Sequence, residues 1–396
     1  MWRMEQEFYL NERNIKFEAI ANRVNEIFQP TDITLDSTGN YVIHKSLNHV
    51  LFENDKDDVT IVTHCTAEHL VYLPDLALAW DGPISITLFL NSREGIETIV
   101  KSFALCNVGI LSKVLFHVVY PIHSPIDKDK FIFDKNSDGK PLNPDLYCSD
   151  FRTCLRRYQA LKNNYQSPVD YPGNLLRNIA MQECRTNFVL PIDIDCVPSK
   201  NLRSLFNAFQ SKCHLKDHLN ISYVVPAYEI RKSYFKRNTA SFPVDKRELL
   251  QLLDAGIVRP FYVEICEHCQ GRTKHAEWEK IQPSTSLQPA YDVSWGHSYE
   301  PFYIALRSST PKYDERFSQY GYNRVSQICE MHVAGHNFAV LNEGFVLHVG
   351  FKSKDDFHST KDSEHASNWY TYEGFMSRLS RKYPDSNRTC LDEGYS

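Results

Sequence analysis

The sequence predicts an α/β protein whose central sheet is largely parallel, and three observations carry that expectation. Short apolar runs rich in β-branched and aromatic residues recur, each bounded by turn residues. Segments of helical spacing separate them, from residue 58 to residue 230. That alternation is the pattern of strand–helix–strand crossovers, which bring successive strands together in parallel. At 396 residues, with 42% apolar and 23% charged residues, the chain has the length and composition to bury a sizeable core.

Residues 1–33 read as a polar, partly helical lead-in, and its start, "MWRMEQEFYLNERN", is too polar for a signal peptide. No run of 18 apolar residues occurs, so no membrane-spanning helix is expected. "DVTIVTH" (58–64) and "PISITLFL" (83–90) read as strands, "SREGIETIVKSFALC" (92–106) as a helix and "KVLFHVVY" (113–120) as a strand. The stretch 121–173, rich in Pro, Asp, Asn and Ser, is the least regular and is expected to carry long loops. "NLLRNIAMQEC" (174–184) is helical, "NFVLPI" (187–192) a buried strand, "SKNLRSLFNAF" (199–209) helical and "ISYVVPAYEI" (221–230) a strand. Neither a repeat nor a low-complexity linker divides the chain.

The net charge is −5 and no basic run stands out, which argues against nucleic acid as a partner. Eleven cysteines are scattered, and an odd number leaves at least one thiol free unless a bridge forms between chains. Asn220-Ile221-Ser222 and Asn387-Arg388-Thr389 are glycosylation triplets, a weak sign of the secretory route.

The chemistry concentrates where "VLPIDIDCVPS" ends its apolar run with Asp193 and Asp195. Ligands of open α/β sheets bind beyond the carboxyl ends of strands. In an extended segment residues i and i+2 point the same way, so both carboxylates are expected to face one point. Two bare carboxylates there would repel each other; a divalent cation, which takes oxygen ligands and grips a diphosphate, removes the conflict. The ordinary alternative is that the pair caps the helix starting near Ser199, or makes a turn. Upstream, Asn174, Arg177 and Asn178 offer polar groups to a nucleotide. Downstream, "NEGFVLHVGFK" supplies His348 as a further metal ligand, Gly350 for close backbone approach and Lys352 as a point charge for phosphate. Taken alone, His348 is better read as a satisfied core histidine.

The blocks "NLLRNIA", "FVLPIDIDCVPS", "VVPAYEIR", "VRPFY", "PAYDVSW", "EPFYIA", "YDERFSQYGYNRVSQICEMHVAGHNFAVLNEGFVLHVGFK" and "KYPDSNRTC" keep their order, and together they resemble glycosyltransferase family 49. The likeness runs from about residue 34 to the C-terminus. It implies a GT-A fold, a Rossmann-like, mostly parallel sheet flanked by helices. The donor would be a UDP-sugar, UDP-glucuronate in particular, with Mn²⁺ held by an Asp-x-Asp motif. Carried over, the metal ligands are Asp193, Asp195 and His348, and Thr63 and His64 lie near the uracil. Residues of about 34–220 would form the nucleotide-sugar half and 221–396 the acceptor half.

The resemblance also implies an inverting transfer of glucuronate to a terminal xylose, β1,4-linked, on a protein-linked glycan. Such a displacement needs a general base on the acceptor hydroxyl. The candidates are Asp314 and Glu315 in "PKYDERF", then Glu300 in "YEPFY". Arg177, Arg231 and Arg324 are candidates to meet the donor carboxylate. The expected partners are a UDP-sugar and a glycan or glycoprotein acceptor, with a second copy of the chain as a candidate. The expected place is the Golgi lumen, where the family implies a type II membrane anchor that this sequence does not display. The rival expectations are a family member using another UDP-sugar, or an inactive GT-A-fold module that binds glycans or scaffolds.

The chain departs from the family pattern in three places. "YGYNR" ends in Asn323 and Arg324 where related inverting enzymes carry an acidic pair. "GRTKHAEW" keeps only Thr273 and Trp278 and adds Arg272 and Lys274, a change that would alter specificity if this loop shapes the acceptor or donor pocket. Gly173 is a minor difference. Two lookalikes are set aside. "DKNSDGK" (134–140) has calcium-loop spacing, but Asp145 stands at its twelfth position and Pro141 and Pro144 break the exit helix. "CEHC" (266–269) has zinc or redox spacing without a second pair, and reads better as a disulfide or two thiols.

Overall fold

In a computed structural model, residues 32–48, 56–90, 96–123, 144–161, 169–213, 215, 220–236 and 241–391 are described. The lead-in to residue 31 and the calcium-like segment 134–140 lie outside these residues. The strands are β1 (Asp32–Leu35), β2 (Tyr41–Lys45), β3 (Val59–Thr66), β4 (Ile84–Phe89), β5 (Val114–Pro121), β6 (Phe188–Pro191) and β7 (Cys196–Pro198). They continue with β8 (Ile221–Val225), β9 (Ala227–Ile230), β10 (Val258–Pro260), β11 (Pro289–Val293), β12 (Phe302–Leu306), β13 (Asn337–Leu341) and β14 (Val346–Val349). The helices used below are α1 (Lys101–Cys106), α2 (Pro144–Leu161), α3 (Gly173–Gln182), α4 (Leu202–Cys213), α5 (Glu267–Gly271), α6 (Asn323–Val333) and α7 (Lys361–Lys382).

The α/β architecture is as expected. A ten-stranded sheet runs β1-β2-β5-β4-β3-β6-β12-β8-β13-β11. Its centre, β5-β4-β3-β6, is parallel throughout. Every residue of β4 is buried, as required of a strand covered on both faces. β12 then runs antiparallel to both β6 and β8, and β8 pairs parallel with β13. Antiparallel pairs close both margins. The sequence reading did not separate the β1–β2 hairpin from the lead-in. Its turn is made by Asp36, whose carboxylate accepts from the N–H groups of Thr38 at 3.0 Å and Tyr41 at 2.8 Å.

A second, four-stranded sheet runs β10-β9-β14-β7. It exists because the single strand expected over 221–230 is broken at Pro226. Proline offers no N–H to a ladder, so β8 ends in the large sheet and the chain resumes as β9 in the small one. β14 lies parallel to β9 and antiparallel to β7, placing His348 opposite both Cys196 and Glu229. The Asp-x-Asp segment is therefore the corner at which the chain leaves the large sheet (β6) for the small one (β7).

The irregular stretch 121–173 contains a helix, α2, that the proline content concealed. A disulfide joins it to α1 through Cys106 and Cys148. A second links Cys329 in α6 to Cys390, and a third joins Cys266 to Cys269. Cys65, Cys184, Cys196 and Cys213 are free thiols. No helix among the described residues is long and apolar enough to cross a membrane.

One buried ion pair fixes α4 to the start of β3. Arg203 Nη2 lies 2.7 Å from Asp58 Oδ2, Asn207 Nδ2 donates to Asp58 Oδ1 at 2.8 Å, and Asp58 is 2% exposed. Asp58→Ala removes the shared acceptor of Asn207 and of Arg203, which is partly exposed and also lies 3.3 Å from Asp81. It is expected to lower stability by about 1–3 kcal/mol. The check is the urea midpoint, which should fall while the slope of the transition stays that of the parent.

Candidate functional site

The corner after β6 holds the two acids, but not as an extended strand. Cys196 N–H donates to Asp193 O at 3.0 Å, closing a turn. The turn separates the carboxylates that the i, i+2 rule would have aligned. Asp193 points to two guanidiniums: Arg324 Nη1 at 3.0 Å and Arg177 Nη2 at 3.5 Å. Asp195 has different partners, and its Oδ2 lies 3.0 Å from His348 Nε2 and 3.9 Å from Lys352 Nζ. Burial alone would raise the Asp195 carboxyl, yet His348 and Lys352 hold it well below the usual carboxylate range. Lys352 loses charge stability by burial and regains more from Asp195, so its ammonium is held above its ordinary range.

The His348 ring tests the fit of a metal. Its Nδ1 lies 2.7 Å from Gly350 O, an acceptor only, so Nδ1 carries a proton. Nε2 then needs a second proton or a cation to sit beside a carboxylate oxygen. An imidazole nitrogen and a carboxylate oxygen converging there form a donor set suited to a divalent transition metal such as Mn²⁺. Asp193, occupied by its arginines, is not part of that convergence.

Around Asp193 the groups form a continuous polar wall. Arg324, at the start of α6, donates to Glu300 O at 2.7 Å, lies 3.8 Å from Glu300 Oε2 and stacks its guanidinium 4.2 Å from the centre of the Phe302 ring. Burial opposes the Arg324 charge, but Asp193 and Glu300 outweigh it and keep the group charged. Burial pushes the Glu300 carboxyl above its ordinary range, Arg324 draws it back and Asp193 adds to the rise. A narrow cleft here is lined by Val62, Arg177, Asp193, Tyr303, Tyr313 and Arg324, among others.

Thr63 and His64 lie near the carboxyl end of β3, opposite Ile86 and Thr87 of β4. Thr63 Oγ1 and His64 Nε2 are buried without a hydrogen-bond partner among the described residues. His64 Nδ1 meets Tyr171 Oη at 2.6 Å. Burial, then the nearby Arg177, keep His64 neutral by pulling its pKa well below the usual value. A neutral ring and a hydroxyl with unspent hydrogen bonds suit a planar, neutral, hydrogen-bonding ligand.

Other expected site residues are placed differently. Asn174 and Asn178 in α3 do not face outward. Asn178 accepts from Tyr313 N–H and donates to Tyr313 O, both at 2.8 Å, and Asn174 donates to Asp314 O at 2.9 Å. Their amides clamp the segment 313–315, because buried backbone needs partners. Asp314 turns its carboxylate to Arg316, with Nε at 2.7 Å, and to Arg378 at 3.4 Å. Burial raises it, but the hydrogen bonds from Arg316 hold it lower than an ordinary carboxyl. Glu315 is exposed and accepts from Asn178 Nδ2 at 2.8 Å. Of the three candidate bases, Glu300 alone stands beside the Asp193 wall. Arg231 stands apart from that wall, with its guanidinium 4.5 Å from the centre of the Phe351 ring.

Three contributors went unread. Tyr171 orients His64 and, being an isolated aromatic before a proline, gave no signal. Glu229 is fully buried: it pairs with Arg259 Nε at 2.7 Å and accepts from Tyr262 N–H at 3.1 Å and Lys352 N–H at 3.2 Å. It thereby holds the backbone that presents Lys352. A glutamate in the apolar strand "VVPAYEI" was the available sign. Tyr262, at φ 64°, has its burial-raised hydroxyl raised further by Glu300. Within "GRTKHAEW" the two retained residues pack inward: Thr273 Oγ1 meets Tyr299 Oη at 3.0 Å, and the Trp278 indole donates to Leu341 O at 2.7 Å.

Residues 58–384 match the family described as "Glycosyl-transferase for dystroglycan". Beta-1,4-glucuronyltransferase 1 of Bos taurus is 37% identical over 368 residues, covering 90% of this chain and 83% of that protein. The Homo sapiens protein of the same name is 35% identical over 371 residues, with the same coverage of both chains. "Xylosyl- and glucuronyltransferase LARGE2" of Mus musculus is 28% identical over 328 residues, which span 82% of this chain and 39% of that one. Among solved structures, S. aureus TarS 1-349 in complex with UDP-GlcNAc aligns at a TM-score of 0.38 and 12% identity, over 84% of this chain and 68% of that one. GalNAc-T7 with UDP, GalNAc and Mn²⁺ aligns at a TM-score of 0.38 and 9% identity, over 86% of this chain and 53% of that one.

Proposed function

This chain belongs to glycosyltransferase family 49, the glycosyltransferases for dystroglycan, and from that membership we propose its donor, acceptor and working residues. The donor is UDP-glucuronate, and the acceptor is a terminal xylose on a protein-linked glycan, joined in β1,4 linkage. The residues before about 220 bind the nucleotide sugar, and those after it shape the acceptor side. The observation that carries the reading is the corner itself. Asp195 converges with His348 and Lys352, while Asp193 meets Arg324, which also lies against Glu300.

Thr63 and His64 take the uracil with their unspent hydrogen bonds. Asp195 and His348 are the residues that would hold Mn²⁺, which would supply positive charge for the diphosphate. Lys352 adds a fixed cation for the same phosphates. Arg177, braced by Asn174 at 3.3 Å, meets the donor carboxylate beside Asp193. Glu300 takes the proton of the acceptor hydroxyl. The freed oxygen attacks the anomeric carbon as the bond to the diphosphate breaks, and the α-linked donor gives a β-linked product.

The test is a panel of UDP-sugars offered with Mn²⁺ and simple xylosides, read by mass spectrometry of the product. UDP-glucuronate should be preferred over UDP-glucose by roughly ten- to hundredfold. A charge-assisted contact of about 1.5–3 kcal/mol sets that scale. Arg177→Met should erase most of the preference. Faster transfer from UDP-glucose, UDP-galactose or UDP-N-acetylglucosamine would refute the donor assignment.

The proposed location is the Golgi lumen. Asn220 and Asn387 are both exposed, and the chain carries disulfides, which persist in oxidising compartments. Glycan on Asn220 or Asn387 in protein from native cells is the expected finding. A reduced, diffuse cytosolic pool would contradict it.

A further inference from the structure

We propose that the Cys266–Cys269 disulfide is a redox-active site that exchanges with dithiols, and that its state is sensed at Glu300. The three disulfides differ in what they close. Cys106–Cys148 and Cys329–Cys390 span 42 and 61 residues, whereas Cys266–Cys269 spans three. A cross-link restrains the unfolded chain less as its loop shortens, so this one contributes least as a staple.

Its surroundings favour exchange. Cys266 is partly exposed, Cys269 is 7% exposed, and the exposed His268 places Nε2 3.3 Å from Cys266 Sγ. The histidine nitrogen and both sulfurs lie within 4.8 Å of one another. An imidazole so placed can deliver a proton to, or stabilise, a departing thiolate. In the first step a thiolate of an external dithiol attacks the accessible Cys266 Sγ. A mixed disulfide forms, and Cys269 leaves as a thiolate that takes a proton. In the second step the other thiol of the reagent, deprotonated, attacks its partner sulfur in the mixed disulfide and Cys266 leaves. The reagent is oxidised to its disulfide, and two electrons and two protons reside on the Cys266 and Cys269 thiols.

The turn that this disulfide closes is bonded to the proposed acceptor side. Cys266 N–H donates to Tyr262 O at 2.8 Å, and Glu300 N–H donates to Cys269 O at 3.0 Å. Gln270 in α5 donates from Nε2 to Glu300 O at 2.8 Å. Opening the disulfide loosens the turn whose backbone and side chain fix Glu300 on both sides. This coupling rests on the reading of Glu300 given above; the exchange does not.

The full chain is equilibrated in graded mixtures of reduced and oxidised dithiothreitol, quenched in acid and alkylated, and its peptides are weighed. Cys266 and Cys269 should be alkylated while the other two pairs stay oxidised, and oxidised dithiothreitol should restore the disulfide. His268→Gln should slow the exchange several-fold with an unchanged thermal midpoint. Joint reduction of all three pairs, reduction only on unfolding, or an unaltered exchange rate in the His268 variant would overturn the exchange site. In the coupling arm, selective reduction should lower transfer several-fold, and Cys266→Ser/Cys269→Ser should be insensitive to dithiol. Exchange with unchanged transfer would overturn the coupling while leaving the exchange site intact. The trapping readout does not depend on transfer, so its failure is distinct from failure of the Glu300 assignment, which the substitution of Glu300 tests.

Discussion

Glu300→Gln should lower kcat by about 10²–10⁴-fold, the contribution usual for a positioned general base. The amide keeps the volume of the side chain and its contact with Arg324, but cannot take a proton. UDP affinity should be nearly unchanged, because the proposed role of Glu300 is on the acceptor hydroxyl and not on the nucleotide. The pH profile supplies a second check. Burial raises the Glu300 carboxyl above its ordinary range. The base works only when deprotonated, so the rate should rise with pH through that raised value and fall below it. The acid limb should therefore lie above the ordinary range of carboxylates and be lost in Glu300→Gln. Activity of Glu300→Gln equal to the parent's, or an acid limb that persists in it, would remove Glu300 from the role.

Asp195→Asn should reduce transfer to background while the protein stays folded. The substitution preserves shape but removes the charge that His348 and Lys352 face at 3.0 and 3.9 Å. Loss of a supporting partner already costs a metal site roughly 10–100-fold in affinity or activity, so loss of a ligand's charge should cost more. Thermal unfolding of the variant, compared with the parent in the presence of a chelator, separates this effect from misfolding. Transfer at the parental rate with Mn²⁺ still required would show that the ion is held elsewhere.

How much of this was legible depended on whether local pattern or tertiary bonding decided the outcome. The strands β3 to β6 were readable because both faces are covered and the apolar runs are continuous. That Asp195 and His348 lie together was readable because an acid and a histidine at the ends of apolar strands conflict with burial unless something compensates. The orientation of Asp193 was not, since one backbone bond from Cys196 N–H to Asp193 O converts the extended geometry into a turn. The break at Pro226 was present in the sequence as a proline inside a strand, but only pairing with β14 shows that the two halves lie in different sheets. Asn174 and Asn178 look like ligand-binding amides on a helix; that they hold residues 313–315, some 135–140 positions away, is a long-range fact. Glu300 ranked below Asp314 because burial and guanidinium partners, not residue type, distinguish the two. Arg316 and Arg378 occupy Asp314, whereas Glu300 faces Asp193 and Arg324.

The central claim is that this corner binds a nucleotide diphosphate together with a divalent ion for transfer. Calorimetric titration of UDP into the protein, with Mn²⁺ and then with excess chelator, tests it most directly. The expected result is saturable binding with Mn²⁺ that weakens at least tenfold in chelator, and that in Asp195→Asn is weak under both conditions. UDP binding of equal strength in chelator, or glycan binding with no affinity for UDP, would contradict the account and favour an inactive binding module.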